Sequence, residues 1–170
     1  MAQNPKDQLI EGLRNAYALE GQALEITERQ AERLEHYPAL RARIQQHVEE
    51  TRQQQAMVEQ CLNRLGTSPS TVKEMAMSLM GNLQAMAHAM AGDEVLKNTF
   101  GSYALEHFEI ASYRSLITMA EIAGEPEIAR TCQQILRQEE SMASWIGEHV
   151  EEITRQFMAR AEVGASAAKR

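Results

Sequence analysis

The sequence predicts an all-α protein, a four-helix bundle with one long connection between its second and third helices. Strong helix formers dominate the 170 residues, whereas glycine (9) and proline (4) are scarce. Apolar residues recur every three or four positions along four stretches, as they do on one face of an α-helix. Two short breaks and one long segment of different composition separate these stretches, and short links place neighbouring helices antiparallel.

The first helix is predicted to begin at Asn4-Pro5. The Asn4 side chain can cap the first amides, Pro5 suits the first helical position, and Asp7 favours the positive end of the helix. Small and apolar residues then form one face, which contains Leu9, Leu13, Ala16, Tyr17, Ala23, Leu24, Ala31 and Leu34. The break at Tyr37-Pro38 ends this helix and starts the next one.

The second helix is predicted to run from Pro38 to Leu65-Gly66, because glycine commonly follows a helix end. Its face contains Leu40, Ile44, His47, Val48, Thr51, Val58, Cys61, Leu62 and Leu65. Residues 69–92 then carry many Met and small residues without a continuous polar face. We interpret them as a partly helical crossover that packs over the end of the bundle. Apolar surface on residues 75–90 would need a cover, which makes this stretch a candidate dimer interface.

The third helix is predicted to start at Asp93, a good capping residue, and the fourth at Pro126 after the break Gly124-Glu125. The third face contains Leu96, Thr99, Phe100, Tyr103, Ile110, Tyr113, Ile117 and Ala120. The fourth face contains Ile128, Cys132, Ile135, Leu136, Met142, Ala143, Ile146, Val150, Ile153 and Phe157. One long crossover between helices two and three is typical of the ferritin-like bundle. A single domain is predicted for residues 1–160, followed by a flexible tail over residues 161–170.

Charge and hydropathy argue against several classes of function. The net charge is −7 and the pI is about 5.3, so nucleic-acid binding is not expected of a chain without a basic patch. No run approaches the roughly 18 apolar residues that a membrane span needs, and the N-terminus lacks the pattern of a signal peptide. Cys61 and Cys132 are isolated in helical segments, so two buried free thiols in a cytoplasmic protein are the simplest interpretation.

Glutamates interrupt the apolar face near the middle of every predicted helix. Each lies three residues after one core position and four before another. They are Glu20, Glu50, Glu106 and Glu139, and Glu109 follows one turn after Glu106. At about 1.5 Å per residue, each lies roughly 18–23 Å from the start of its helix, so paired helices bring all of them to one level. The tetrapeptide Tyr-Ala-Leu-Glu occurs at residues 17–20 and again at 103–106, which fits two helix pairs related by a pseudo-two-fold axis.

Several carboxylates in a core of low dielectric constant repel one another. Either some of them are protonated, with raised pKa values, or cations neutralise them. Oxygen ligands in this arrangement suit iron or manganese. Two metal ions bridged by glutamates would satisfy most of the oxygen lone pairs.

Plainer interpretations stay open for the single residues. A lone glutamate on such a helix is usually a surface residue, and His47 fits a hydrogen-bonded core histidine more often than a ligand. The Met residues of segment 75–90 suit packing better than copper binding. The phenols that could lie in the core and bond the carboxylates are those of Tyr17, Tyr103 and Tyr113. The residues expected in solvent are Glu49, Glu140, Glu151 and Glu152, with His107 exposed or at a helix interface.

Four segments carry a likeness to a known family. They are YALEGQ at residues 17–22, YPALRARIQQHVEET at 37–51 with Gln54, EHFEIASY at 106–113, and LRQEE at 136–140. They resemble the YciE/YciF family of bacterial ferritin-like stress proteins, most closely its YciE branch. The resemblance covers nearly the whole chain apart from the tail, and the Glu-x-x-Glu-Ile-Ala-x-Tyr segment is its most specific part.

The resemblance implies a ferritin-like bundle, a homodimer, and a di-metal carboxylate site with two iron or manganese ions inside each chain. It also implies an association with stress, and the family is often labelled ferroxidase-like. The metal ligands implied by position are Glu20, Glu50, Glu106, Glu109 and Glu139, with His47 and Gln54 at the edge of the site.

One departure from the usual di-iron bundle bears on the chemistry. That bundle has Glu-x-x-His on two helices, but Gln53 and Met142 occupy the two histidine positions here. His47 lies three residues before Glu50 and could serve only one metal, and Glu109 can replace one missing ligand. Three hypotheses follow: an enzyme that oxidises Fe(II) with oxygen or peroxide, a protein that sequesters metal under stress, and a structural helical dimer whose core glutamates are protonated or water-bridged.

Overall fold

The computed structural model describes residues 4–69 and 94–162, and these residues form four α-helices. The helices are α1 (Pro5–Arg33), α2 (Pro38–Arg64), α3 (Glu94–Ile122) and α4 (Pro126–Glu162). The prediction of an all-α four-helix bundle is confirmed. The predicted crossover beyond residue 69, the cap at Asp93 and the tail from residue 163 lie outside the described residues. Helix α4 extends to Glu162, two residues into the segment predicted as a tail.

The helix ends follow from local signals in the sequence. The Asn4 side chain accepts a hydrogen bond from the Lys6 amide at 3.1 Å, which caps α1 as predicted. Gly66 and Gly124 have φ angles of 74° and 73°, a left-handed conformation that favours glycine after a helix. The amide after Gly124 donates to the Ala120 carbonyl oxygen at 2.8 Å, which closes the last turn of α3.

The helices pack so that all neighbours are antiparallel. Helix α1 packs along α2, and α3 packs along α4, while α1 also contacts α3 and α2 contacts α4. Arg33 Nε at the end of α1 lies 2.7 Å from Glu94 Oε1 at the start of α3. Arg14 near the start of α1 donates to Thr67 Oγ1, just after α2, at 2.7 Å. The end of α2 and the start of α3 therefore lie at opposite ends of the bundle, which fits the long connection of a ferritin-like fold.

Most of the core consists of two large apolar clusters with a polar layer between them, and a third, small cluster contains Leu19, Ala23 and Leu105. One cluster contains Leu9, Leu13, Ala16, Val58, Cys61, Leu62, Tyr113, Leu116, Ala120, Ile128, Ala129, Cys132 and Ile135. The other contains Ala31, Leu34, Tyr37, Leu40, Ile44, Val48, Val95, Met142, Ile146 and Ile153. The buried polar layer in the middle contains Glu20, His47, Gln54, Glu106, Glu109 and Glu139. The two apolar clusters fix the helices on both sides of this layer.

The predicted face of α3 is wrong at two positions. Phe100 and Tyr103 are 49% and 41% exposed, although both were expected to face the core. The buried face instead contains Thr99, Ser102, Leu105, Glu106, Glu109, Ile110, Tyr113, Leu116 and Ala120. Apolar residues lie on all sides of α3, so the apolar periodicity of its sequence does not determine which side is buried.

Both cysteines are free and buried, as predicted. Cys61 and Cys132 belong to the same apolar cluster, and burial raises the pKa of the Cys132 thiol to about 12. Within residues 4–69 and 94–162, no helix combines the length and the apolar character that crossing a membrane requires.

Candidate metal centre

Four glutamates from three helices point into the middle of the bundle. Glu20 of α1, Glu106 and Glu109 of α3, and Glu139 of α4 are each at most 1% exposed. Glu106 and Glu109 share one helix face because residues three apart lie one above the other. These four predicted site residues are therefore brought together at the level that their positions in the sequence predicted.

His47 of α2 lies at the centre of this group, although the resemblance placed it at the edge. Its ring is 1% exposed, and its Nε2 lies 3.3 Å from Glu106 Oε1 and 3.7 Å from Glu139 Oε2. One ligand atom each from His47, Glu106 and Glu139 all lie within 4.8 Å of one another. The histidine reaches this position because it lies on the buried face of α2, one turn after Arg43 and one turn before Thr51.

Glu50 lies at the border of the polar layer, with its side chain 19% exposed. Its Oε2 accepts hydrogen bonds from His47 Nδ1 at 3.1 Å and from Arg43 Nη1 at 3.2 Å, and its Oε1 accepts one from Gln46 at 2.7 Å. Arg43, which is 9% exposed, was not among the predicted site residues. A signal was present, because Arg43, His47, Glu50 and Gln54 follow one another at spacings of four, three and four along one helix face.

Two neutral side chains hold the carboxylates in place. Gln54 is completely buried, and its amide nitrogen donates to Glu139 Oε1 and, at 3.1 Å, to Gln138 Oε1. The Tyr113 hydroxyl donates to Glu20 Oε1 inside the core, so one of the three predicted phenols does bond a carboxylate. Tyr103 instead lies at the surface, edge-on to the exposed His107 ring at 4.5 Å.

Burial perturbs the acidity of the buried glutamates. It raises the pKa of Glu109 well above 4.5, and the charges of Glu20, Glu139 and Glu106 raise it further. The pKa of Glu139 is likewise raised well above 4.5 by burial and by its contact with Glu106. Burial raises the pKa of Glu20 to about 7, although the hydrogen bond from Tyr113 opposes the change. Without a cation, the centre thus favours bound protons at these positions.

His47 and Glu50 favour their charged forms instead, because each faces a partner of opposite charge. Burial alone would lower the pKa of His47, but hydrogen bonds to Glu106 and Glu50 outweigh it and raise the value to about 10. Burial alone would raise the pKa of Glu50, but hydrogen bonds from His47 and Gln46 and the charge of Arg43 lower it to about 2. In the metal-free protein, a protonated His47 therefore partly neutralises the centre.

Unsatisfied oxygens test whether the centre fits a metal ion. Among the described residues, each buried glutamate has one side-chain oxygen without a hydrogen-bond partner. These atoms are Glu20 Oε2, Glu106 Oε2, Glu109 Oε1 and Glu139 Oε2. Buried polar atoms are normally paired, so such a group of free lone pairs is unusual without a cation. Carboxylate oxygens with one imidazole nitrogen form a donor set suited to iron or manganese, and the residues fit such an ion.

Other side chains occupy the two positions at which the usual di-iron bundle has its Glu-x-x-His histidines. Met142, at one of these positions, is completely buried and belongs to an apolar cluster, whereas Gln53, at the other, is exposed. The imidazole of the centre comes instead from His47, one turn before Glu50 rather than one turn after it. Glu109 adds a second carboxylate from α3. The donor set is therefore richer in oxygen than the usual di-iron bundle.

Comparisons with known proteins agree with this architecture. A protein from Xanthomonas campestris pv. campestris is 43% identical, with a TM-score of 0.81 over 94% of this chain and 99% of its own structure. YcfI from Rhodopseudomonas palustris, described as a candidate structural protein, is 26% identical, with a TM-score of 0.70 over 85% and 94% of the two chains. The E. coli stress protein YciF is 20% identical, with a TM-score of 0.70 over 88% and 96%, and supports the fold alone. The sequence model of a family described as "Domain of unknown function (DUF892)" matches residues 4–159.

Proposed function

The chain belongs to the DUF892 family, and from this premise we propose that it is a stress-response protein that binds two iron or manganese ions in its core. The observation that carries the proposal is the group of His47, Glu106 and Glu139, whose ligand atoms lie within 4.8 Å of one another. Three residues from three helices would hold one ion there. This spacing is typical of side chains that share a cation.

Glu20 and Glu109 would hold the second ion. Both are buried, each has a side-chain oxygen without a partner in the described part of the chain, and the charge of Glu20 acts on Glu109. Two divalent cations would balance the four buried carboxylates, while Arg43 balances Glu50. Charge balance of this kind supports two ions rather than one.

Iron bound at the centre would supply one electron per Fe(II) to peroxide or oxygen, and we propose this ferroxidase-like reaction as the activity. The residues of the chain would supply the environment. The two apolar clusters restrict water on either side, and Gln54 and Tyr113 hold Glu139 and Glu20 in place through hydrogen bonds. The same proposal includes the cytoplasmic location inferred from the two isolated cysteines and the homodimer that the resemblance implies.

A second candidate function is a structural or interaction role without catalysis. The raised pKa values of Glu20, Glu109 and Glu139 allow the core to hold protons in place of metal ions, which favours a structural or interaction role. YcfI, described as a candidate structural protein, gives this alternative some support. A third candidate, metal sequestration, shares metal binding with the first function and the lack of catalysis with the second.

Metal content after anaerobic reconstitution tests the proposal. Untagged protein is loaded with Fe(II) or Mn(II), desalted, and analysed by plasma mass spectrometry. We expect about two equivalents per chain, a loss of metal in Glu106→Gln and Glu139→Gln, and no loss in Glu140→Gln, a neighbour that forms a surface ion pair with Arg114. Absence of stoichiometric metal in the wild-type chain would leave the structural role as the better account.

Oxidation kinetics separate the enzyme from the sequestering protein. The Fe(II)-loaded chain is mixed with peroxide or with oxygenated buffer, and Fe(III) formation is followed by absorbance. An enzyme should oxidise Fe(II) much faster than Fe(II) is oxidised in buffer without protein, and it should do so through repeated turnovers. A single slow event per site would indicate sequestration.

A further inference from the structure

The two nitrogens of the His47 ring face different surroundings. Nε2 faces the buried carboxylates of Glu106 and Glu139, at 3.3 and 3.7 Å. Nδ1 faces Glu50 at 3.1 Å. Glu50 therefore lies on the side of the ring away from the residues that would share a metal ion with Nε2.

The hydrogen bonding of Glu50 differs from that of the four buried glutamates. Both Glu50 oxygens accept hydrogen bonds, Oε2 from Arg43 and His47 and Oε1 from Gln46. Each of the buried glutamates instead has one oxygen without a partner among the described residues. By this criterion, Glu50 is already satisfied without a metal ion.

Movement of Glu50 toward the centre would carry a penalty. Arg43 is 9% exposed, and its Nη1 lies 3.2 Å from Glu50 Oε2. Withdrawal of Glu50 would leave this guanidinium poorly solvated beside an empty space. Loss of one partner of a largely buried ion pair is unfavourable, so the ion pair favours the observed position of Glu50.

Metal-binding histidines commonly donate a hydrogen bond to a carboxylate from the ring nitrogen that does not bind the metal. A hydrogen bond from Nδ1–H to the carboxylate fixes the tautomer and the ring orientation, and it makes the other nitrogen a better donor. The His47–Glu50 pair has this arrangement, with Nε2 directed at Glu106 and Glu139.

We propose that Glu50 is a positioning residue, held by Arg43, that directs His47 Nε2 at the metal ion and does not bind the ion itself. The inference rests on the proposed function, and it assigns to Glu50 a different role from the ligand role that the resemblance implies. It makes His47 the nitrogen ligand of an otherwise oxygen-rich centre.

Metal titration of matched variants tests this assignment. Mn(II) binding is measured by electron paramagnetic resonance for wild type, Glu50→Gln, His47→Gln and Glu49→Gln. Glu49 is the control, because it lies next to Glu50 but is exposed and pairs with Arg52. We expect Glu50→Gln to bind as many ions as wild type with an affinity about 10–100-fold lower at one site, and Glu49→Gln to match wild type. Loss of one full equivalent in Glu50→Gln would show that Glu50 is a ligand and overturn the proposal.

Copper spectroscopy provides a readout that a purely structural role would not change. In a copper-bound imidazole, the spin-echo modulation comes from the ring nitrogen that does not bind the metal. We expect this nitrogen signal with Cu(II) in wild type, a shifted quadrupole coupling in Glu50→Gln, and no signal in His47→Gln. An unchanged coupling in Glu50→Gln would contradict the positioning role.

A conservative variant keeps the proposal testable if Glu50→Gln does not fold. Glu50→Asp retains the charge opposite Arg43 with a shorter side chain, and it should retain the number of ions with an intermediate affinity. Loss of an ion in this variant would contradict the proposal. Absence of any metal in wild type would overturn the proposed function, and this inference with it, whereas the outcomes above overturn the inference alone.

Discussion

At the scale of single residues, Tyr113 and Glu20 show how the core holds a carboxylate. The Tyr113 side chain is completely buried, and its hydroxyl donates to Glu20 Oε1. Burial raises the pKa of Tyr113 well above 10, and the charge of Glu20 raises it further, so the phenol stays protonated and remains a donor. The hydrogen bond leaves the second oxygen of Glu20 for a metal ion.

Tyr113→Phe should therefore destabilise the metal-free protein. The change leaves Glu20 without its donor, and an unsatisfied buried acceptor costs about 1–3 kcal/mol. Urea unfolding at neutral pH measures the loss in the free energy of unfolding. Tyr103→Phe is the control, because Tyr103 is 41% exposed and its variant should stay within about 0.5 kcal/mol of wild type. Equal effects of the two variants would contradict the role of the hydrogen bond.

At the scale of helices, the ends were predictable and one face was not. Pro5, Pro38 and Pro126 are first residues of helices, and Gly66 and Gly124 follow helix ends, because these residues act through local backbone geometry. The face of α3 depends on the other helices, since apolar residues surround it and its burial is decided by tertiary packing.

One glycine inside α3 and one just after it give a test of this local account. Gly101 lies inside α3, and a methyl group there would meet no atom of the described residues within 4 Å, apart from its chain neighbours and the backbone of its own helix. Gly101→Ala should raise the free energy of unfolding by roughly 0.5–1 kcal/mol through helix propensity. Gly124→Ala should lower it by about 1 kcal/mol, because alanine is strained at a φ of 73°. Thermal unfolding of both variants measures the difference, and a destabilised Gly101→Ala would contradict the packing described for α3.

The sequence was enough to predict how deep in the bundle the candidate site lies, but not which side chains contact one another within it. The positions of Glu20, Glu106, Glu109 and Glu139 follow from helical periodicity and depth, which a sequence carries. The central place of His47 and the border position of Glu50 depend on ring orientation and on the Arg43 ion pair, which arise from contacts between side chains. Periodicity places such residues on a face but does not say which partner each one meets.

At the scale of the whole molecule, the bundle places a charged layer between two apolar clusters. The family match over residues 4–159 confirms the family resemblance, and the likeness to YciF supports the fold alone. The apolar clusters on both sides stabilise a layer that is itself unfavourable without protons or cations. The stability of the protein should therefore depend on both pH and metal.

The metal-free protein should be most stable near pH 5 and less stable at pH 8. The pKa values of Glu20, Glu109 and Glu139 are raised above 4.5 in the folded protein. Their contribution to the free energy of unfolding is therefore complete below pH 4.5 and is lost as the pH rises to about 7 and beyond. The pKa of His47, about 10 against 6.5, adds a loss between those values. The pKa of Glu50, about 2 against 4.5, has the opposite sign and removes stability only below pH 4.5.

Urea unfolding of the chelator-treated protein at pH 5, 6.5 and 8 measures this dependence. Glu20→Gln is the matched variant, because it removes one of the shifted groups and should flatten the decline between pH 5 and 7. A free energy of unfolding that rises from pH 5 to pH 8 would contradict the electrostatics described for the core.

Metal ions should reverse this trend. A cation replaces the protons at the centre, so binding should strengthen as the pH rises and should stabilise the folded chain. At a free Mn(II) concentration one hundred times the dissociation constant, the gain is about 2.7 kcal/mol per site. Calorimetric melting with Mn(II) and after addition of chelator measures it. A smaller shift than in wild type is expected for Glu139→Gln if that carboxylate is a ligand, because the site at Glu20 and Glu109 remains. A full shift in this variant would argue against the ligand role.

The central claim is that the layer between the apolar clusters binds metal ions. Anomalous diffraction from crystals of the Mn(II)-loaded protein, collected near the manganese edge, tests it most directly. The account predicts one strong peak among His47 Nε2, Glu106 and Glu139, a second beside Glu20 and Glu109, and no peak within bonding distance of Glu50. A loaded crystal whose anomalous peaks lie only at the surface of the bundle would contradict it.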